Sequence, residues 1–243
     1  MSWPSLNAEL SAYVRPIAQF DGLALCSRDP GRLAGFWSMA GFGGLRHDLA
    51  DGSLRLDPAS GRPKAEIMRL TPDPAPPGDA DRIHPDIRLP GRTPAPLIAA
   101  GATIVRPPGD DPWWVLADPE GNTFCAYASV DDRPAGVFQL VVKCRQPLAL
   151  ANWWSRVIGG EVQREGDSAV LKGAPDFPWD YLAFDLVPET RTARSRLQWH
   201  LLLRDPDPYV LTHAGATMLN ASPGGPWLLA DPEGNAFSAV PVG

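Results

Sequence analysis

The segment Trp113-Trp114-Val115-Leu116-Ala117-Asp118-Pro119-Glu120-Gly121-Asn122-Thr123-Phe124 returns near the end of the chain as Pro226-Trp227-Leu228-Leu229-Ala230-Asp231-Pro232-Glu233-Gly234-Asn235-Ala236-Phe237. One structural unit therefore occurs twice. Asp-Pro-Glu-Gly-Asn between apolar runs reads as a hairpin turn, because proline presets φ early in the turn and glycine supplies a positive φ at its exit. Other matches keep the same order: Phe36-Trp37 with Trp153-Trp154, His84 with His200, and Ala100-Gly101-Ala102-Thr103 with Ala214-Gly215-Ala216-Thr217. The offset, about 115 residues with small drifts from loop deletions, divides the chain almost evenly and fits two domains. We expect an N-terminal extension over 1–16, a first unit over 17–130 and a second over 137–243. A polar, proline-broken linker, Val130-Asp131-Asp132-Arg133-Pro134-Ala135-Gly136, separates the units.

A hydrophobic content of 44% and a charged content of 21% suit a globular protein that buries a core in each unit. The net charge of -6 leaves no basic excess to neutralise a phosphate backbone or an anionic bilayer, so neither nucleic acid nor membrane is an expected partner. No basic start followed by an apolar run opens the chain and no stretch reaches membrane-span length, so a cytoplasmic location is expected. Cys26, Cys125 and Cys144 are scattered in apolar, strand-like surroundings and read as reduced thiols. No glycine-rich phosphate loop or nucleophile elbow is present, which removes nucleotide cofactors and a hydrolase triad.

Within the first unit, Phe20 to Cys26 reads as a strand. Asp29-Pro30 then opens a helix, with Asp29 as N-cap, Pro30 at N1, and Leu33, Phe36, Trp37 and Ala40 on one face. Three short strands follow at 45–49, 53–56 and 65–70. The pattern restarts with a strand at 82–88, a short helix at 95–101, and strands at 103–105, 113–117 and 123–127. The second unit repeats it: strand 137–143, helix 148–158, strands near 161–164, 169–172 and 181–187, then strand 197–203. The chain thus reads as four βαβββ modules, an α+β fold whose antiparallel sheets carry helices on one face and leave a concave face for a ligand.

Strand, Asp-Pro, a helix with an aromatic pair, His on the fifth strand, Gly-Ala-Thr and then Asp-Pro-Glu-Gly-Asn-x-Phe together resemble the vicinal oxygen chelate superfamily, in its glyoxalase-like and bleomycin-resistance-like branch. The resemblance spans nearly the whole chain in two tandem copies. It implies two glyoxalase-like domains. It does not imply one activity, since the superfamily holds glyoxalases, extradiol dioxygenases, isomerases, thiol transferases and metal-free drug-sequestering proteins. Its metalloenzymes draw ligands from the first, fourth, fifth and eighth strands of a unit.

Those positions read Gly22, Arg69, His84 and Cys125 in the first unit, and Gln139, Asp185, His200 and Ser238 in the second. The eighth-strand carboxylate of the metalloenzymes is replaced by Cys125 and Ser238. The first set has too few donors for a divalent ion, whereas Gln139, Asp185 and His200 form a weakened set for Zn, Fe, Mn or Ni. Independently of the resemblance, His84 and Asp86 share one strand face and make a carboxylate–imidazole pair suited to acid–base work, or alternatively a structural pair within the sheet. His47 and His213 read as surface histidines. Trp113, Trp114, Trp179, Trp199 and Trp227 fall on or beside strands and are candidate walls of an aromatic pocket, with Arg69 as a further ligand-binding group; core packing is the competing reading for each.

The leading expectation is a protein that binds a small, partly aromatic organic molecule in a concave pocket without a complete metal site. The alternatives are a metal-dependent lyase, isomerase or dioxygenase, or a metal-free acid–base catalyst using His84 and Asp86. The duplication makes either a pseudo-dimeric monomer or a homodimer reasonable.

Overall fold

A computed structural model describes residues 15–42, 44–57, 68–74, 76, 82–129, 132–188, 195–221 and 226–242. Most of the expected N-terminal extension, residues 65–67 of the third expected strand, and Val130-Asp131 of the linker lie outside the described residues. The elements fall into four modules. The first holds β1 (Ala18–Ser27), α1 (Pro30–Ala40), β2 (Leu45–Asp48), β3 (Leu54–Asp57) and β4 (Met68–Pro72). The second holds β5 (Ile83–Arg88), α2 (Ala95–Ala99), β6 (Thr103–Arg106), β7 (Trp113–Ala117) and β8 (Thr123–Tyr127). The third holds β9 (Gly136–Cys144), α3 (Pro147–Ile158), β10 (Glu161–Glu165), β11 (Ser168–Lys172) and β12 (Tyr181–Leu186). The fourth holds β13 (Leu197–Leu203), α4 (Tyr209–His213), β14 (Thr217–Asn220), β15 (Trp227–Ala230) and β16 (Ala236–Pro241). Asp29 caps α1 as expected, its carboxylate accepting from the Arg32 N–H at 3.0 Å, with Pro30 in the first turn.

In each module the helix carries the chain back across the sheet, and a three-strand meander then brings its last strand beside the first. Those two strands run in the same direction. β1/β4, β5/β8, β9/β12 and β13/β16 are accordingly parallel pairs, so the sheets are mixed rather than wholly antiparallel. Modules join through antiparallel pairs of their first strands, β1 with β13 and β5 with β9. The result is two eight-stranded sheets. Sheet A runs β14-β15-β16-β13-β1-β4-β3-β2, and sheet B runs β10-β11-β12-β9-β5-β8-β7-β6. Each sheet therefore takes one module from each half of the chain.

Strand alternation sorts the side chains. Along β13, Leu197, Trp199, Leu201 and Leu203 are buried on the helix side while Gln198, His200 and Leu202 alternate to the other face. The helix sides of both sheets join in one apolar cluster that includes Phe20, Trp37, Phe124, Trp154, Trp179, Trp199 and Phe237. No helix among the described residues is long and apolar enough to cross a membrane.

The repeated turn holds this arrangement. The Asp118 carboxylate accepts from the Glu120 and Asn122 backbone N–H groups, from Asn122 Nδ2, and from the Trp37 indole at 3.0 Å. Asp231 does the same with Glu233, Asn235 and the Trp154 indole at 3.2 Å. Glu120 reaches back to the start of α1, accepting from Ser27 Oγ and from the Arg28 and Asp29 N–H groups; Glu233 accepts from the Arg145 and Gln146 N–H groups ahead of α3. Burial raises the Glu120 carboxyl, but the bonds from Asp29, Ser27 and Arg28 outweigh it and hold the group below its ordinary value. Two arginines tie the turns across the halves: Arg82 donates to the Glu233 carbonyl at 2.7 Å and Arg196 to the Glu120 carbonyl at 3.1 Å.

The close of α1 is sterically fixed. Gly41 has φ +108, and a Cβ there would lie 2.4 Å from the Gly136 Cα, where the second half enters β9. Gly41→Ala should lower unfolding free energy by about 1–3 kcal/mol, the usual cost of forcing a side chain into such a conformation, before any cost of displacing Gly136. Urea denaturation of the two proteins measures it, and equal midpoints would contradict the contact.

Candidate functional site

On sheet B, the face opposite the helices forms a cavity of about 250 Å³. Strand register builds it row by row. Gln139 of β9 faces Asp86 of β5, which faces Cys125 of β8, which faces Val115 of β7. One residue pair along, Val141 faces His84. Val141 also packs with Val170 and Ala183 in a small apolar cluster of its own. Trp113 and Tyr127 face each other across β7 and β8 with ring centroids 5.3 Å apart, and Phe138 meets Tyr127 edge-on at 5.4 Å. Lys143, Asp185 and Arg106 complete the margin. The cavity thus has an aromatic side and a polar floor.

The floor is a compact set. His84 Nε2 lies 3.5 Å from Asp86 Oδ1 and 3.7 Å from Cys125 Sγ, and Gln139 Nε2 donates to Asp86 Oδ2 at 2.7 Å. Burial pushes the Asp86 carboxyl up from 3.8 to about 7; hydrogen bonds from Gln139, Tyr127 and Cys125 offset part of that, and the negative charge of Asp185 adds to it. Burial likewise raises the Tyr127 hydroxyl above its ordinary value, with Asp86 reinforcing it. Tyr127 therefore stays a hydrogen-bond donor. His84, Asp86 and Cys125 each offer one ligand atom, all within 4.8 Å of one another, and form a group able to hold a metal ion.

The structure redistributes the expected site residues. His84 and Asp86 do share a face and meet in the cavity, joined by Cys125. Gln139 and Asp185 line the same cavity, but His200 stands on β13 in sheet A, so Gln139, Asp185 and His200 are not brought together. The ligand positions regroup because β5 pairs with β9 and β1 with β13. Sheet B collects His84, Cys125, Gln139 and Asp185, and sheet A collects Gly22, Arg69, His200 and Ser238. Arg69 lies outside this cavity, bonded to Asp51.

Of the five tryptophans expected to wall a pocket, Trp113 does so. Trp179 and Trp199 are buried in the core, where Trp199 packs on Trp154 and Trp179 on Phe20, Phe42 and Phe177. Trp114 and Trp227 pack against the core from its edge. Tyr127, Lys143 and Arg106 were not among the expected site residues. Tyr127 stands two residues beyond Cys125 on one strand, and Lys143 four beyond Gln139, so alternation alone places them on the cavity face.

A family profile described as a glyoxalase-like domain matches residues 22–127 and again 139–240. This chain belongs to the glyoxalase-like family, within the vicinal oxygen chelate superfamily. Its fold is similar to glyoxalase I from Zea mays, at 15% identity and a TM-score of 0.61, with 92% of each chain covered. The V278E mutant of the maize protein superposes with a TM-score of 0.62 at 14% identity, covering 98% of this chain and 96% of that one. The cppA protein from Streptococcus pneumoniae TIGR4 shares the fold at 12% identity and a TM-score of 0.51, over 94% of this chain and all of its own length. At such identities the likeness is one of fold. Among curated proteins, none matches the chain in sequence.

The raised Asp86 carboxyl makes stability depend on pH. The folded state holds this proton up to about 7 whereas the unfolded chain releases it near 3.8, so between those values the folded state binds more protons and stability falls as pH rises. Asp86→Asn should flatten that fall and gain stability relative to the parent at pH 8. Chemical denaturation from pH 4 to 8 reads the difference, and parallel profiles would show that burial does not perturb Asp86.

Proposed function

We propose that the chain binds a small, partly aromatic organic molecule in the sheet B cavity, with the ring against Trp113 and Tyr127 and a polar group on the His84–Asp86–Gln139 floor. The observation that carries this reading is the union, in one cavity of about 250 Å³, of an aromatic side and convergent polar groups. Stacking on such faces contributes about 0.5–1.5 kcal/mol per ring pair. Asp86, with its carboxyl near 7, is divided between acid and base forms around neutral pH, which suits it to exchange a proton with a bound ligand. His84 beside it can take or return that proton. The pairing of strands between the halves supports a pseudo-dimeric monomer as the working form, since each half completes a sheet of the other.

The probe for this reading is 2-naphthol, a planar aromatic with one hydroxyl, followed by intrinsic tryptophan fluorescence. Saturable quenching is expected, with Trp113→Ala weakening affinity about 2–15-fold, the equivalent of one stacking contact. Quenching that is linear in probe, or affinity unchanged by Trp113→Ala, would count against the cavity as the binding site.

A second reading rests on the grouping of His84, Asp86 and Cys125. A nitrogen, an oxygen and a thiolate sulfur fit a borderline-soft ion such as Zn²⁺ better than a hard one, and two carboxylates, the buried Asp86 and the exposed Asp185 at the cavity margin, supply negative charge for it. A metal held there would polarise a substrate oxygen. In that case His84, Asp86 and Cys125 hold the ion while Gln139 and Tyr127 orient the carboxylate. Elemental analysis and thermal shift with Zn, Fe, Mn and Ni separate the readings. On the metal reading one equivalent of Zn²⁺ raises the melting temperature, and Cys125→Ser and His84→Ala each abolish the shift.

A further inference from the structure

The sheet B cavity holds a nucleophile that the binding reading leaves unused. Cys125 is half-buried and lines the cavity, whereas His84 and Asp86 are only 7% and 2% exposed. Within this group the sulfur is therefore the member open to a ligand, and the imidazole and the carboxyl stand behind it. His84 Nε2 faces both neighbours, 3.7 Å from Cys125 Sγ and 3.5 Å from Asp86 Oδ1. A proton that leaves the thiol can pass to that nitrogen, beside a carboxyl able to share it.

The other thiols are placed differently. Cys144 is buried, and burial, with the charges of Glu233, Asp231 and Asp185, pushes its thiol up to about 12. Cys26 is half-buried on β1 of sheet A, away from this cavity. The matching positions of sheet A also lack the combination. Ser238 stands there in place of Cys125, hydrogen-bonded to His200 Nδ1, and Leu202 stands in place of Asp86. Burial, and then the charge of Arg69, push the His200 ring down to about 4, so it is neutral at physiological pH. A hydroxyl beside a ring that resists protonation is a poor nucleophile.

Spacing along β8 indicates what the sulfur can reach. Tyr127 stands two residues beyond Cys125 and Thr123 two before it, all three on the cavity face. Such neighbours on one strand face are about 6–7 Å apart. A ring held against Tyr127 and Trp113 thus brings the carbon attached to it toward the sulfur, and directs the group beyond that carbon toward the Thr123 hydroxyl. A molecule that uses all three contacts has an electrophilic carbon on its ring, conjugated to a carbonyl.

We propose that Cys125 is a nucleophile that adds to a planar aryl α,β-unsaturated ketone bound in the sheet B cavity, an inference that rests on the aromatic-ligand reading of that cavity. A sulfur lone pair forms the S–C bond to the ring-bound β-carbon. The C=C π pair moves into an enolate whose oxygen accepts from the Thr123 hydroxyl, and the thiol proton, carried by His84, is returned to the α-carbon. The product is a thioether of the saturated ketone. The addition consumes no oxidant, reductant or further reactant, and its reversal releases the ligand unchanged, so the cavity captures such ketones covalently and reversibly.

The test is intact-mass analysis and peptide mapping of the full chain treated with 4-phenyl-3-buten-2-one, with EDTA present and adducts fixed by borohydride. Tryptophan fluorescence with 4-phenyl-2-butanone, which lacks the double bond and cannot add, is measured alongside. A single adduct is expected, on Cys125, forming faster than on Cys26 or on free glutathione and at a rate that saturates with ketone. Trp113→Ala should raise the half-saturating concentration about 2–15-fold. His84→Gln should slow the saturated rate about 100-fold or more, as loss of a general base does, and Cys125→Ser should abolish the adduct. Thermal melts establish which variants are folded, and site preference and saturation are read on the parent, so the outcome does not hang on any variant. No adduct, an adduct shared evenly between Cys125 and Cys26, a rate strictly proportional to ketone, or an undiminished saturated rate in folded His84→Gln would each overturn the proposal. Saturable quenching by 4-phenyl-2-butanone alongside any of these results leaves the aromatic-ligand reading standing. Absence of saturable quenching by both this ketone and 2-naphthol removes that reading, and the proposal with it.

Discussion

The Asp-Pro-Glu-Gly-Asn turn is the joint on which both sheets depend. Its aspartate, taken out of water, is acceptable only because it collects the turn's own N–H groups and an indole N–H from a helix of the preceding module. Burial raises both Asp118 and Asp231 above the ordinary carboxylate range, with the hydrogen bonds opposing that rise. The glutamate then satisfies N–H groups at the mouth of the same helix, where helical hydrogen bonding leaves donors unpaired. Each turn thus locks the second module of a half onto the first. Because Arg82 and Arg196 grip the turn of the opposite half, the two halves are joined by the same device used reciprocally.

That reciprocity fixes where chemistry can occur. First strands pair across the halves, so each sheet face draws its residues from both halves of the chain. Asp86 meets Gln139 across β5 and β9, with Asp185 in the same cavity, while Gly22 meets His200 across β1 and β13. Neither group could assemble from one half alone. The duplication is therefore part of the site architecture, and the interleaved strand order lets each concave face diverge through mutations in either half.

Much of this was legible in the chain beforehand, because its signals are local. The hairpin motif, Asp29 and Pro30 at the start of α1, and the strand periodicity depend on neighbours a few residues away, and those elements form where expected. The shared face of His84 and Asp86 follows from the same alternation. Partner choice does not. Whether β5 pairs with β9 or with a strand of its own half leaves no trace in local periodicity, which is why a ligand set read within one half placed His200 beside Gln139 and Asp185. The tryptophans show a different failure, one that the residues themselves could have corrected. Trp199 precedes His200 and Trp114 follows Trp113 on single strands, so each neighbouring pair must divide between core and open face.

The two open faces now differ in the side chains they carry. On sheet B, Asp86 stands on a floor of His84, Cys125 and Gln139 with Lys143, Arg106 and Asp185 at the margin, and the cost of burying Asp86 charged falls whenever a proton, a metal ion or the positive end of a ligand dipole approaches. On sheet A the equivalent places hold an arginine, a neutral histidine and a serine, with glycine where a ligand-bearing side chain would otherwise stand. A substitution at the first strand carries much of this difference. Gln139 fills its position on sheet B and donates to Asp86, whereas Gly22, the partner of His200, places no side chain at the same position on sheet A. Identical folds built from one repeated unit thereby present two chemically different faces, and the residue that separates them most sharply is the one with no side chain.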